Sequence, residues 1–297
     1  MILLLKKQES LWREWRKLVV RSMQKINQKY INTIVKKALL EDLHPKGDLT
    51  TNLVNFKNKI IKARIISKQN GIISGLDFCK TAFKLIGKET VFKKKINDGK
   101  KIKKNKVIAE ITAKTKTILI AERTALNFLN HASGISTITN KFVKKVEKKT
   151  KICCTRKTIP NLRLLEKYAV KKGGGHNHRF NLSDEILIKE NHIASDRDIK
   201  KLINKAIKTK KIVTVEVENI SQLKQVFGLK FKRILFDNMN LIQLRKCIKF
   251  CKNKYETEYS GNANLKNILK ISRTGINRIS VGLLTHSSQS FDSSLLM

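Results

Sequence analysis

Charged and polar residues recur at the ends of the hydrophobic runs that predict β-strands in the second half of this sequence. Strands that alternate with helices form parallel sheets or barrels, and barrel enzymes build their active sites at the carboxyl ends of the strands. Such groups at six successive strand ends therefore predict one chemical site. The groups are Thr155-Arg156-Lys157, Lys189-Glu190-Asn191-His192, Glu216 and Glu218, Asp237-Asn238, Ser260-Gly261-Asn262 and Val281-Gly282.

Four basic residues in the second half of the sequence suit anionic ligands. Arg156 and Lys157 follow one predicted strand, and His178 and Arg179 follow three consecutive glycines at 173–175. Arg binds carboxylates and phosphates through paired hydrogen bonds, and glycine lets the backbone approach a ligand closely. A lone histidine is more often structural, but His178 next to Arg179 favours a binding role.

Phosphate and metal chemistry is predicted at the remaining strand ends. Ser260-Gly261-Asn262 and Val281-Gly282 are each expected to open a helix, and helix N-termini bind phosphate. Glu216 and Glu218 share one strand face, because side chains repeat every two residues, and Asp237 ends the next strand. These acids suit sugar hydroxyls and Mg²⁺, a hard cation that prefers oxygen ligands, although salt bridges to lysines are an alternative for Glu218.

The elements that must position these groups form two regions. The first, residues 28–120, mixes helix and strand patterns typical of a small α+β domain. It contains predicted strands at Ile60–Ser67, Val107–Ile111 and Thr117–Ile120 and a helix from Gly75 to Leu85.

The second region begins with helices predicted at 121–133 and 138–149, after which strands and helices alternate. A helix at 196–209 has Ser195 and Asp198 as its capping box, Pro160 marks a first helical position, and Gly173 marks a helix end. This alternation predicts a parallel α/β barrel or a doubly wound sheet, and the lack of GxGxxG disfavours a dinucleotide fold. The strands are predicted at Lys151–Arg156, Glu185–Lys189, Ile212–Glu218, Arg233–Asn238, Thr257–Ser260 and Arg278–Gly282.

The composition narrows the class of protein. Lys and Arg number 64 against 23 Asp and Glu, a net charge of +41, and 41% of residues are hydrophobic, enough for a packed core. No apolar run approaches the roughly 18 residues of a membrane span, and Ile2–Leu5 is too short for a signal-peptide core. The five cysteines form no CxxC spacing and are expected in the core, which favours a reducing, cytoplasmic location.

The high positive charge permits a second interpretation, a nucleic-acid-binding protein. Only 13 of the 64 basic residues are Arg, and they form no basic tail. Aromatic residues, 6% of the chain, are not interleaved with the basic runs as a base-stacking surface requires. We therefore expect no nucleic-acid partner and attribute most of the lysine to A/T-rich codon usage.

Long motifs carry a resemblance that covers about residues 30–297. In this order they resemble the quinolinate phosphoribosyltransferase family. The motifs are Glu41-Asp42-Leu43, GDLTT (47–51), AERTALNFLNHASGIST (121–137), the stretch from TRKTIP to KENHI (155–193), VEVEN (215–219), LFDNM (235–239), SGN (260–262) and ISVGLLTHS (279–287).

The resemblance implies a fold, an assembly and a reaction. The fold is a small N-terminal α/β sandwich domain (28–130) and an incomplete TIM-like α/β barrel (131–285), after an extension (1–27), with the tail 286–297 returning to the first domain. The assembly is a homodimer with a shared active site. The reaction transfers phosphoribosyl from 5-phosphoribosyl 1-diphosphate to quinolinate with Mg²⁺. It yields nicotinate mononucleotide, diphosphate and CO₂ in de novo NAD biosynthesis.

The resemblance also implies residue roles. Lys157, Lys189, Glu216 and Asp237 would be catalytic, and the last two would hold ribose hydroxyls or the metal. Arg123 would enter from the partner subunit. The carboxylates of quinolinate would meet Arg156, Lys157, His178 and Arg179, and the wider substrate site would include Thr155, Ser260, Gly261, Asn262, Gly282 and His286.

Some positions depart from the family pattern, and one alternative within enzymes stays open. Ile159 and Asn161 stand where Thr and Gly are more usual, Glu190 replaces Asp, and Tyr259 stands where a small residue is common. The alternative is a related phosphoribosyltransferase of the same fold with another acceptor.

Overall fold

The computed structural model describes residues 26–54, 59–192 and 198–297. The chain divides into two compact units. Unit 1 contains residues up to 138, 159–174 and 288–297, and unit 2 contains residues 139–158 and 175–287. Nearly all of the expected extension 1–27, and the predicted capping residue Ser195, lie outside the described residues.

The helices and strands have the following bounds. In chain order they are α1 (Gln28–Leu43), α2 (Leu49–Leu53), β1 (Ile60–Ser67), β2 (Gly71–Ile72), α3 (Leu76–Ile86), β3 (Val91–Lys94), β4 (Lys101–Ile102), β5 (Val107–Lys114), α4 (Thr115–Lys145), β6 (Lys151–Cys153), α5 (Arg163–Lys172), β7 (Ile186–Ile188), α6 (Ile199–Lys208), β8 (Val213–Val217), α7 (Ile220–Val226), β9 (Arg233–Asp237), α8 (Leu241–Cys251), β10 (Glu256–Ser260), α9 (Ile268–Ser272), β11 (Arg278–Ser280), α10 (Leu283–His286) and β12 (Ser293–Leu296).

Unit 1 is built on a four-stranded antiparallel sheet with the order β12-β1-β5-β3. Strand β1 has the predicted bounds, and its alternation buries Ala63, Ile65 and Ser67 on one face. The late strand β12 pairs with this early strand, so that Ile65 lies opposite Leu295. The sheet of unit 1 thus needs residues from both ends of the described chain.

Helix α4 corrects two predictions. The strand expected at Thr117–Ile120 and the two helices expected after it are one continuous helix of 31 residues. A buried stripe at Ile118, Ala121 and Ala125 has helical spacing, which overrides the local β-propensity. Gly134 does not end the helix. It leaves room for the backbone of Gln289, whose carbonyl oxygen would lie 2.1 Å from a Cβ at position 134.

Unit 2 is built on a six-stranded parallel sheet with the order β6-β11-β10-β9-β8-β7. From β7 to β11, consecutive strands are linked by α6, α7, α8 and α9, as parallel pairing requires. Beyond β6, His176 forms a single parallel bridge with Cys153. The predicted class, a small α/β domain and a parallel α/β domain, is confirmed.

The boundaries of several elements differ from the prediction. Strands β6 and β11 end at Cys153 and Ser280, so that the polar residues after them lie in loops. Helix α6 begins at Ile199, because the carboxylate of Asp198 accepts a hydrogen bond from the Lys201 amide at 3.0 Å.

Helix starts around two loops also differ from expectation. Pro160 precedes rather than begins α5, whereas Gly173 ends it as predicted. Gly282 caps the short helix α10 as expected, but Gly261 opens no helix, because α9 begins only at Ile268.

All five cysteines are buried and free, as predicted for core residues. Burial raises the pKa of the Cys251 thiol to about 11, with a smaller contribution from Cys247, which disfavours the reactive thiolate. Across 26–54, 59–192 and 198–297, no helix is both long and apolar enough to cross a membrane.

Candidate active site

The carboxyl ends of the six parallel strands of unit 2 lie along one edge of its sheet. Most of the polar groups predicted from the sequence lie there, in four local clusters. A fully parallel register places the loop after each strand beside the loops of its neighbours in the sheet.

The first cluster pairs Lys189 with Glu216. The Lys189 ammonium lies 3.0 and 2.9 Å from the two carboxylate oxygens of Glu216. Burial raises the pKa of Glu216, the hydrogen bond and charge of Lys189 oppose that rise, and the negative charges of Asp237 and Glu218 add to it. The negative charges of Glu216, Asp237 and Glu218 therefore act on one another, which favours the binding of a further cation among them. Glu218 itself is exposed and leads into α7, where its amide donates to Gln222.

The second cluster brings Arg156 and Arg179 together. Burial lowers the pKa of the Arg179 guanidinium, and the positive charge of Arg156 lowers it further. One hydrogen bond of Arg179 is satisfied by the carbonyl of Glu185 at 3.3 Å. The Nε of Arg156 is buried and has no acceptor among the described residues. Two guanidinium groups with an unmet donor have the chemistry to bind an anion that carries more than one carboxylate.

The third cluster joins the loops after β6 and β11. The Thr285 hydroxyl donates to the carbonyl of Lys157 at 2.6 Å, and the Lys157 amide donates to the Thr155 hydroxyl at 3.1 Å. Gly282 lets two side chains lie close to the backbone, because a Cβ at this position would lie 3.1 Å from the His286 ring and 3.4 Å from the Lys157 side chain. The backbone of the exposed Lys157 is thus fixed while its ammonium stays available.

The fourth cluster joins the loops after β9 and β10. The Asn238 amide donates to the Ser260 carbonyl at 2.8 Å, and its side chain donates to the Asp237 carboxylate at 3.1 Å. Gly261 has a φ of 120°, and a Cβ there would lie 2.3 Å from the Asn238 side-chain oxygen. Asn262 adopts a left-handed φ of 43°. The φ of Gly261 and its close approach to Asn238 explain why this position is a glycine. The hydrogen bond from the Asn238 side chain orients the Asp237 carboxylate.

Two further predicted site residues belong to none of these four clusters. Arg123 belongs to unit 1, on helix α4, and its side chain is exposed. His178 is buried in unit 2, and its Nδ1 accepts a hydrogen bond from the Arg179 amide at 2.8 Å.

Sequence reasoning missed a buried ionic network in the amino-terminal halves of β9, β10 and β11. Arg233 Nε lies 3.0 Å from a carboxylate oxygen of Glu256, and Arg278 Nε lies 3.0 Å from one of Glu258. All but Glu256 are at most 7% exposed. The strand register sets Glu256 beside Arg233 and Glu258 beside Arg278, so that residues of opposite charge lie on neighbouring strands. This register is known only from the structure.

Family models match nearly the whole chain. Residues 48–133 match the model described as quinolinate phosphoribosyl transferase, N-terminal domain, and residues 135–296 match its C-terminal domain. The chain belongs to the quinolinate phosphoribosyltransferase family. The family predicted from the sequence motifs is thereby confirmed.

Individual relatives agree with this family. The probable nicotinate-nucleotide pyrophosphorylase (carboxylating) of Bacillus subtilis (strain 168) is 37% identical over 276 residues, 91% of this chain and 94% of the relative. The protein of the same name from Methanocaldococcus jannaschii is 39% identical over 90% of this chain and 96% of its own length. The solved nicotinate-nucleotide pyrophosphorylase of Francisella tularensis is 36% identical, with a TM-score of 0.88 over 93% of this chain and 99% of that one. The transferase class predicted for this chain, a pentosyltransferase of this family, is confirmed.

Among the departures from the family motifs, Asn161 has a clear structural consequence. Its φ of 65° lies in the left-handed region, which glycine adopts without strain and asparagine tolerates. Its carbonyl accepts a hydrogen bond from Tyr30 at 2.7 Å within unit 1. Ile159 is exposed, and Tyr259 is buried.

Proposed function

We propose that this member of the quinolinate phosphoribosyltransferase family acts on quinolinate itself. The enzyme transfers phosphoribosyl from 5-phosphoribosyl 1-diphosphate to the ring nitrogen of quinolinate. The products are nicotinate mononucleotide, diphosphate and CO₂. The names of the relatives support this proposal, and the chemistry of the strand-end clusters agrees with it.

The observation that carries the choice of acceptor is the arginine pair. Arg156 has a buried Nε without an acceptor, and Arg179 is close enough for its pKa to be lowered by Arg156. A dicarboxylate neutralises both guanidinium groups, whereas a monocarboxylate leaves one uncompensated. The alternative, a related enzyme with a monocarboxylate or neutral acceptor, fits this pair less well.

The other clusters have proposed roles in the transfer. Lys157, with its backbone held by Thr285, binds an anionic group of quinolinate or of the diphosphate. Thr155 and His178 complete the quinolinate side of the site. The loops with Ser260, Gly261, Asn262, Gly282 and His286 hold phosphate, and Glu216 and Asp237 bind ribose hydroxyls.

Mg²⁺ fits the acidic cluster as a metal shared with the substrate. Within the described parts of the chain, no three His, Cys, Asp or Glu side chains gather to hold a metal alone. Glu216 and Asp237 supply two carboxylates, and Mg²⁺ is commonly held by one or two carboxylates together with substrate phosphates. Bound in this way, Mg²⁺ neutralises negative charge on the diphosphate.

The residues of this chain then act mainly by positioning and by charge. The ring nitrogen of quinolinate forms a bond to the anomeric carbon as the bond to diphosphate breaks, and the lysines stabilise the charge on the leaving group. The ring nitrogen becomes positively charged and stabilises the electron pair left when the adjacent carboxylate departs as CO₂. A proton from Lys157 or water replaces that carboxylate.

The assembly and the cellular location are part of the proposal. Arg123, exposed on α4, completes the site of a second subunit in a homodimer. The domain limits are 28–130 for the sandwich and 131–285 for the barrel, with the tail 286–297 belonging to the first domain. The five buried free thiols support a location in the reducing cytoplasm.

The test is an assay of the full-length protein with quinolinate, 5-phosphoribosyl 1-diphosphate and Mg²⁺. We expect nicotinate mononucleotide and CO₂ in equal amounts, both dependent on each substrate. A parallel reaction with nicotinate should give at least a hundredfold lower kcat/KM, because one carboxylate is missing. Turnover of nicotinate with none of quinolinate would establish the alternative acceptor instead.

A further inference from the structure

A buried carboxylate in unit 2 has no role in the proposed reaction and yet contacts a residue of the site. Glu258, on β10, is 0% exposed. One of its oxygens lies 3.0 Å from Arg278 Nε and 3.5 Å from Arg233 Nε. Its other oxygen accepts a hydrogen bond from the Ser280 hydroxyl and lies 3.5 Å from Nε2 of His178. Glu258 therefore joins the ionic network to the loop of His178 and Arg179.

The hydrogen bonding of His178 determines which ring nitrogen carries the proton. Its Nδ1 accepts from the Arg179 amide at 2.8 Å, and an imidazole nitrogen can accept only when it is unprotonated. The proton of the neutral ring is then on Nε2, the nitrogen that faces Glu258. A doubly protonated ring would direct an N–H at the amide N–H of Arg179.

Glu258 shares its two arginines with other carboxylates of the network. Arg278 and Arg233 lie against Glu258, but both also contact Glu256, and Arg233 contacts Glu185. The neutral form of His178 therefore follows from the hydrogen bond at Nδ1 and not from the charge count. Glu258 attracts the Nε2–H dipole and so holds the ring plane. The ring in turn holds the amide of Arg179.

We infer that Glu258 is a positioning residue for acceptor binding: it fixes the tautomer and orientation of His178, and His178 fixes the backbone from which Arg179 reaches the acceptor carboxylate. This inference rests on the proposed function. In this arrangement His178, which lies on the quinolinate side of the proposed site, also acts as a neutral link between Glu258 and Arg179.

The tautomer can be measured without turnover. The full-length protein would be labelled with ¹⁵N-histidine, and its ring nitrogens observed by NMR with and without quinolinate. The His178 signals would be identified by their loss in His178→Gln. We expect Nδ1 to be unprotonated and Nε2 protonated in both samples. A doubly protonated ring, or a tautomer change when quinolinate is added, would overturn the inference.

A matched pair of variants separates positioning from structural support. Glu258→Gln removes the charge that faces His178, whereas Glu256→Gln removes a charge that contacts Arg233 and Arg278 in the same network. For Glu258→Gln we expect the KM for quinolinate to rise roughly tenfold, the value for about one lost charge-assisted contact, with a nearly unchanged KM for 5-phosphoribosyl 1-diphosphate. For Glu256→Gln we expect reduced stability and unchanged KM values.

The outcomes distinguish this inference from the proposed function. Equal KM increases in the two variants, or none in a folded Glu258→Gln, would contradict the positioning role. If the wild-type protein does not turn over quinolinate, the proposed function fails, whereas the NMR result still decides the tautomer. If Glu258→Gln does not fold, the NMR measurement on the wild type remains decisive.

Discussion

At the scale of single residues, Arg156 depends most strongly on a ligand. Its Nε is buried without an acceptor among the described residues, and the nearby Arg179 adds repulsion. Buried donors are normally satisfied, and an unmet one costs about 1–3 kcal/mol. Under the proposed function, a bound dicarboxylate would remove that cost and gain part of its binding free energy from doing so.

Replacing Arg156 with lysine tests this view. Arg156→Lys keeps the charge but loses Nε and the planar geometry of the guanidinium, so the KM for quinolinate should rise about tenfold to a hundredfold. The measurement is steady-state kinetics with each substrate varied in turn. Arg273→Lys is the control, because Arg273 is 65% exposed and only pairs with Glu147 at the surface. Equal kinetics for Arg156→Lys and the wild type would show that Nε contributes nothing to binding.

The residue types of the site were readable from the sequence, whereas their contacts were not. Chemical type and strand-end position were enough to single out Lys189 and Glu216. The direct pairing of these two residues, and the contact of His178 Nε2 with Glu258, depend on segments far apart in the chain. The position of Glu258 gave no sign of a functional role, because this residue lies in the middle of strand β10 and not at its end.

At the scale of elements, helix α4 shows how a tertiary contact overrides a local signal. Glycine lowers helix stability by about 1 kcal/mol relative to alanine, and Gly134 lies between the two helices predicted at 121–133 and 138–149. The structure keeps the helix continuous because the backbone of Gln289 occupies the space of a side chain. Only the position of a segment remote in sequence could reveal this.

Gly134→Ala should therefore destabilise unit 1, in contrast to the usual effect in a helix. A Cβ 2.1 Å from the Gln289 carbonyl oxygen forces the backbone apart, at a net cost of about 2 kcal/mol. Thermal unfolding measures the loss, and limited proteolysis should show faster cleavage in 288–297. Asn127→Ala, on the exposed side of the same helix, is the control and should change stability by less than about 0.5 kcal/mol. A stabilised Gly134→Ala would refute the close approach.

The ionic network of strands β9, β10 and β11 predicts a pH dependence. Burial of Glu256 favours its neutral form, but the hydrogen bond from Arg233 and the charges of Arg278, Arg233 and Lys151 outweigh this and lower its pKa below the ordinary value of 4.5. An acid with a lowered folded-state pKa stabilises the fold above its unfolded-state pKa. That stabilisation is lost as the pH falls through the lowered value.

Glu256→Gln measures this contribution. At neutral pH the free energy of unfolding of the variant should be about 2 kcal/mol lower than that of the wild type, because a charge-assisted hydrogen bond is lost. The difference should shrink as the pH is lowered below 4.5, where the wild-type carboxyl also becomes protonated. Denaturant unfolding at several pH values provides the comparison. A difference that stays constant into strong acid would mean that Glu256 is not ionised in the fold.

At the scale of the whole molecule, the proposed homodimer is best tested through Arg123. Arg123→Ala and Arg156→Ala should each be inactive alone, since each removes a substrate contact from every site. If Arg123 serves the partner subunit, a mixed dimer has one site with both defects and one intact site. Random mixing should then restore about a quarter of wild-type activity. Activity no higher than that of the parents would place Arg123 and Arg156 in the same subunit's site.

The net charge of +41 also belongs to this scale. It suggested nucleic-acid binding, but composition cannot distinguish a solvated surface from a site. The proposed function uses only a few cations of the strand-end clusters, whereas most of the lysines lie elsewhere in the sequence. Fold class and family were predictable from the sequence, because they depend on local pattern and on motif order.

The pairing of β12 with β1 has a consequence for biosynthesis. A ribosome releases the chain from its amino end, so β1 emerges long before β12, and all of unit 2 is made in between. During that interval one edge of β1 has no partner strand, and exposed edges pair readily with other chains. We therefore expect nascent unit 1 to be the part of this protein that most needs a chaperone, whereas unit 2 can fold as soon as its residues are released.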